Sequence, residues 1–172
     1  MITGSNGLLG QKLVKLFLAE EGAEVHALSK GPNRLINKRG YAYYDIDLLD
    51  SEALLACLKT ISPDIIIHTA AMTNVDACEL HQEQCDKMNV GVVADIVAYC
   101  KKHPVHLIHL STDFIFDGNK GSVYKEEDLP DPVNYYGLSK WKSEKLIAES
   151  GIHCAILRTI LVYGLVEGND RS

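Results

Sequence analysis

Tyr136 and Lys140 stand at i and i+4 in Tyr136-Gly137-Leu138-Ser139-Lys140, which puts a phenol and an ammonium on one face of a helix. A free tyrosine has a pKa near ~10 and is a reluctant acid-base group at neutral pH. A neighbouring cation favours phenolate, and each tenfold gain in acidity corresponds to ~1.4 kcal/mol. The pair is thus a candidate for general acid-base work, although the same spacing arises on many helices with no such role. A third group sharpens the reading. Leu110-Ser111-Thr112-Asp113 closes a strand-like run, and ligands of open parallel sheets bind just beyond such strand ends. A hydroxyl there, Thr112 with Ser111 as the alternative, can hydrogen-bond the carbonyl oxygen that Tyr136 protonates. A Thr112 that only caps the following turn is the competing reading.

A second constellation opens the chain. Thr3-Gly4-Ser5-Asn6-Gly7-Leu8-Leu9-Gly10 carries Gly-x-x-Gly-x-x-Gly between a strand end and a helix start. Glycines permit the tight turn and let backbone N–H groups approach a pyrophosphate, whose charge the helix N-terminus favours. An ordinary glycine-rich turn is the plain alternative. The next place to look is the end of the second strand, where an acid would hold a ribose 2′-hydroxyl. The segment Ser29-Lys30-Gly31-Pro32-Asn33-Arg34 has no acid. Ser29, Lys30 and Arg34 suit a 2′-phosphate instead, which favours NADP(H) over NAD(H); a solvated basic turn is the alternative.

Elements able to position these groups follow from periodicity. Glu24–Ser29, Tyr41–Asp45, Asp64–Thr69, Val105–Ser111 and His153–Thr159 read as strands, several almost continuously apolar, as strands covered on both faces should be. Only Met1, Ile2 and Thr3 are present to form a strand before Gly4, against a usual ~5–6 residues. Helical spacing runs from Leu9 to Phe17, from Ser51 to Leu58 with Ser51 able to cap it, from Glu83 to Lys102, and from Ser139 to Ala148. Such alternation predicts an α/β fold with a parallel sheet and right-handed crossovers.

Composition bounds the rest. The chain has 172 residues and a net charge of −6, with acids and bases interspersed, which argues against nucleic acid or an anionic membrane as partner. No apolar run approaches the ~20 residues of a membrane span, and no signal sequence is visible, so a cytoplasmic location is expected. Cys57, Cys78, Cys85, Cys100 and Cys154 are scattered without a CxxC pair and read as reduced thiols. His26, His68, His106, His109 and His153 fall on strand patterns and read as packed or hydrogen-bonded, not as ligands; no metal is expected.

Six motifs in order now carry a resemblance. TGSNGLLG, His68-Thr69-Ala70-Ala71-Met72-Thr73-Asn74-Val75-Asp76, the Asn89 helix, STDFIFDG (Ser111–Gly118), YGLSK and LRTILVYG (Leu157–Gly164) together resemble the extended short-chain dehydrogenase/reductases. Within them the chain looks most like the dTDP-4-dehydrorhamnose reductase group, through STDFIFDG. Related dehydratases tend to carry an extra acid where Phe114 stands, and epimerases a serine-rich segment without the Asp.

The resemblance implies a Rossmann-type doubly wound sheet over residues 1–172, lacking the family's C-terminal substrate domain. It implies NADPH-dependent reduction of a nucleotide-linked 4-keto-sugar, with Thr112, Tyr136 and Lys140 catalytic. It assigns Gly4, Asn6, Gly7, Leu8, Leu9 and Gly10 to the phosphates. Asp47-Leu48 resembles the adenine-contacting pair, with Asp45 competing. Ala70, Ala71 and Thr73 should line the cleft, Asn89 should lie near the cofactor, and Ile160 and Leu161 near the nicotinamide amide. Leu161 stands where these reductases often carry an aromatic residue, which bears on the sugar. A homodimer is compatible with the sequence. A non-catalytic NADP-binding regulatory subunit and a sugar-nucleotide epimerase are the rival functions.

Overall fold

The computed structural model describes residues 1–168; the last four residues of the expected domain lie outside them. Six parallel strands form one sheet in the order β3-β2-β1-β4-β5-β6, with β1 at Ile2–Thr3, β2 at His26–Ser29, β3 at Ala42–Asp45, β4 at Ile65–His68, β5 at His106–Thr112 and β6 at Cys154–Thr159. The order reverses between β1 and β4, which places a crevice at their C-terminal ends. β1 is two residues long, yet it sits centrally, with Ile2 and Thr3 registered against β2 on one side and β4 on the other.

Helix α1 (Leu8–Phe17) covers one face and contributes Val14 to a small core with Ile2, Ala27 and Ile67. The larger core lies on the other face. There α2 (Ser51–Ile61), α5 (Val92–Cys100) and α6 (Tyr135–Ala148) bring Leu54, Leu58, Ile96, Val97 and Ile147 onto Leu28, Ile66 and Leu107. This is the doubly wound α/β arrangement that the alternation predicts.

Three helix boundaries differ from expectation, each for a local reason. α2 is capped by Asp50, whose carboxylate accepts from the Ala53 N–H at 3.0 Å, so Ser51 is its first residue and not its cap. The long helix expected over 83–102 is broken. After α3 (Val75–Leu80) and α4 (Gln82–Asp86) comes a π-turn at Lys87–Gly91 before α5 begins. The bulge carries Asn89, whose side chain is drawn inward. α6 starts at Tyr135, a turn before Ser139, because Asn134 accepts from the Gly137 N–H at 2.8 Å. That extra turn brings Tyr136 into the helix.

Candidate active site at the carboxyl edge of the sheet

The glycine loop is built by close approach. Gly4 has φ +70°, and a Cβ there would lie 2.8 Å from the Ala70 nitrogen, a position open to glycine alone. A Cβ at Gly10 would overlap the Gly4 carbonyl, so this glycine lets α1 sit down on the loop. Gly7 caps α1 with no side chain, leaving the first-turn N–H groups of Leu8, Leu9 and Gly10 without a side-chain cap among the described residues. The Ser5 hydroxyl is buried and has no partner among those residues. Free N–H groups at a helix N-terminus beside such a hydroxyl fit the pyrophosphate of a dinucleotide.

Asn6 does something different from its neighbours. Its Nδ2 donates to the Pro32 carbonyl and Tyr43 hydroxyl at 3.0 Å each, and its Oδ1 accepts from the Arg34 N–H at 3.0 Å. Its side chain therefore shapes the 30–34 turn, where a phosphate contact was expected of it. In that turn the Lys30 ammonium donates to Asp47 at 2.7 Å. These two residues, both expected at the cofactor, hold each other, and Asp45 accepts from the Gly31 N–H at 2.6 Å. Arg34 and Ser29 stand at the same strand end, Arg34 largely exposed and Ser29 half-buried. Leu48 is 5% exposed and belongs to the larger core, which leaves Asp47 as the member of that pair with an accessible side chain.

Across the crevice, Ala70 and Ala71 are half-buried and Thr73 is exposed. Asn89 is fully occupied. Its Oδ1 accepts from the Met72 N–H at 2.8 Å, and its Nδ2 donates to the Met72 carbonyl at 3.0 Å and the Ser139 hydroxyl at 2.9 Å. It ties the loop after β4 to α6 and so positions both, without offering a free group. Ile160 and Leu161, after β6, are 73% and 84% exposed.

Thr112 and Tyr136 come together. A Cβ at Gly137 would overlap the Phe114 carbonyl, so α6 lies directly on the turn that follows Thr112. The Thr112 hydroxyl accepts from the Phe114 N–H at 3.2 Å and donates to Asp113 at 3.1 Å, so the turn-capping role and the nearness to Tyr136 coexist. Phe114 packs edge-on to the Tyr136 ring at 6.1 Å. Burial raises the Tyr136 pKa, opposed by its hydrogen bond with Thr112; Cys78 and Asp113 add to the rise.

Lys140 has a hydrogen-bond partner that its spacing from Tyr136 does not suggest. It is 2% exposed, and its Nζ lies 3.1 Å from His109 Nε2, so in this structure the ammonium is directed at the imidazole and not at the phenol. Burial lowers its pKa to about 8, with Glu144 opposing. Strand patterning reads His109 and His68 as packed or hydrogen-bonded, and both are buried and hydrogen-bonded. Both are fully buried, their rings stacked at 5.5 Å, and His68 Nδ1 meets the Thr3 hydroxyl at 2.7 Å. Their place in otherwise apolar strands held the signal: a histidine in such a buried strand needs a polar partner. A groove of about 330 Å³ also lies at the opposite edge, lined by Met1, Phe17, Val25, Ile65 and Ile67, away from all of these groups.

A family model described as the RmlD substrate binding domain matches residues 1–171. The chain belongs to this family. The RmlD assignment agrees with the extended short-chain dehydrogenase/reductase motifs. The chain is 34% identical over 172 residues to methionine adenosyltransferase 2 subunit beta of Rattus norvegicus, covering 100% of this chain and 49% of that protein. It is 32% identical over 164 residues to a dTDP-4-dehydrorhamnose reductase of Aggregatibacter actinomycetemcomitans, covering 95% and 51%. A dTDP-4-dehydrorhamnose reductase of Bacillus anthracis solved in complex with NADP superposes with a TM-score of 0.76 at 28% identity, covering 98% of this chain and 55% of that one. The chain thus spans about half the length of the curated relatives it matches. No helix among the described residues is long and apolar enough to cross a membrane.

Proposed function

We propose that this chain is the NADP(H)-binding Rossmann domain of a reductase acting on a nucleotide-linked 4-keto-sugar of the dTDP-4-dehydrorhamnose kind. The observation that carries the reading is the meeting of Thr112 and Tyr136 over the carboxyl edge, opposite a glycine loop whose helix N-terminus is uncapped. Gly4, Leu8, Leu9 and Gly10 would hold the pyrophosphate through backbone N–H groups, with Gly7 closing the loop by donating its own N–H to the Gly4 carbonyl at 2.9 Å and with Arg34 and Ser29 near a 2′-phosphate. When bound, the nicotinamide supplies hydride to the sugar ketone. Tyr136 gives its phenolic proton to the carbonyl oxygen as charge develops there, and burial keeps that proton on the phenol at neutral pH. Thr112 turns its hydroxyl from Asp113 to the same oxygen and stabilises it. The sugar nucleotide is the proposed partner, and a homodimer and a cytoplasmic setting accord with the reading. The test is NADPH oxidation with dTDP-4-dehydrorhamnose. Turnover should fall at least ~10²-fold in Tyr136→Phe, and an unchanged rate would remove Tyr136 from the mechanism.

A second reading has an observation of its own. The Lys140 ammonium is engaged with His109, and Tyr136 is raised, not lowered, in pKa. A member of this fold that binds NADP without turning over, as a subunit of another enzyme, would tolerate that arrangement. Tight NADPH binding with no keto-sugar reduction would favour it.

A further inference from the structure

Thr3, His68 and His109 occupy one rung of the sheet. The register pairs Thr3 with His68 across β1 and β4, and His68 with His109 across β4 and β5. The rung continues into Leu28 on one side and Ile156 on the other, so three polar groups sit in an apolar layer. All three are buried. Each ring keeps one nitrogen, His68 Nε2 and His109 Nδ1, without a partner among the described residues. Retaining such groups in a core is unfavourable unless they serve something.

His109 Nε2 has two neighbours, Lys140 Nζ and the Ser143 hydroxyl, each at 3.1 Å. Ser143 has a single proton and lies 2.7 Å from the Lys140 carbonyl, to which it donates. A charged lysine only donates, so it requires a lone pair at Nε2 and therefore a proton at Nδ1. A neutral lysine amine can accept as well as donate, and Ser143, whose proton goes to the Lys140 carbonyl, can only accept from the ring, so a proton at Nε2 then gains two acceptors. The charged lysine requires one tautomer of the imidazole, and its loss of a proton favours the other.

We propose that His109 is a positioning residue for Lys140, an imidazole that exchanges tautomers as the lysine gains or loses its proton. The inference rests on reading Tyr136 and Lys140 as the working pair. In the exchange Lys140 releases one proton to solvent, and the imidazole's own proton moves from Nδ1 to Nε2, so His109 stays neutral throughout. Burial, then the Lys140 charge, holds its pKa well below the ordinary range, which keeps it so. The groups facing the lysine are His109 from β5, His68 behind it from β4, Glu144 on α6 and Cys85 from α4, with Glu144 itself paired to Arg158 of β6 at 2.8 Å.

The experiment is a long-range proton–nitrogen NMR titration of the histidine side chains in the chain as it stands, from about pH 6 to about pH 10. His109 is assigned by loss of its signals in His109→Gln. The expected result is an Nδ1–H ring at low pH that converts to Nε2–H with a midpoint near 8, where Lys140 titrates. In Lys140→Arg the side chain stays charged and the ring stays Nδ1–H; in Lys140→Met the conversion vanishes. A tautomer fixed across the range in the native chain, or a conversion that survives Lys140→Met, overturns the proposal. NADPH binding is scored on the same samples: its absence with the conversion intact would fault the functional reading alone, and binding with a fixed tautomer would fault the inference alone.

Discussion

Lys140 is a buried cation whose native pKa, about 8, lies below the 10.5 of an unfolded lysine. Below about pH 8 both states are protonated, and the native state carries the whole cost of burying the charge. Between about 8 and 10.5 the unfolded chain holds more protons, so stability rises with pH through that window. At ~1.4 kcal/mol for each tenfold difference in proton affinity, the gain is on the order of 3 kcal/mol. The difference in urea-derived stability between the native chain and Lys140→Met should therefore move in favour of the native chain by that order across the window. A difference flat with pH would contradict the burial of a charged lysine. The residue types at Tyr136, Lys140 and Thr112 were plain in the sequence because their spacing is local or sits at a strand end. The direction of Lys140 was not, since it depends on His109, thirty-one residues away and visible only through the register of β5 against α6.

At the scale of elements, two boundaries make separable predictions. Asp50→Ala should cost ~1 kcal/mol by removing the cap of α2, and Ser51→Ala should be nearly neutral; thermal unfolding of the two variants decides it, and the reverse order would contradict the capping geometry. Gly137→Ala forces a methyl group against the Phe114 carbonyl, and overpacking of this kind costs ~1–3 kcal/mol. It should also loosen Thr112 from Tyr136, so a stability loss with an unchanged Tyr136 titration would contradict the contact's role. The α6 boundary was hard to read because its buried stripe is polar: Ser139, Lys140, Ser143 and Glu144 are all buried. Apolar periodicity has nothing to register there. The strands were easy for the opposite reason, since Ile65-Ile66-Ile67 and its neighbours are apolar whichever face they present. The π-turn escaped notice because Asn89 bonds to Met72 and Ser139, neither of which is local.

For the whole molecule, a parallel sheet covered by helices on both faces was foreseeable from strand-helix alternation, while the polar rung beneath the crevice was not. Five cysteines were expected as reduced thiols, and all five are free, four of them buried. The proposed function depends at this scale on a dinucleotide occupying the crevice between the Gly4–Gly10 loop and Tyr136. Trp141, the one tryptophan, adjoins Lys140 and offers a direct probe. Titration of the chain with NADPH, followed by energy transfer from Trp141 to the reduced nicotinamide, should saturate, be weaker with NADH, and be abolished by Gly4→Ala in a variant that stays folded. Failure of the native chain to bind either NADPH or NADH would contradict it.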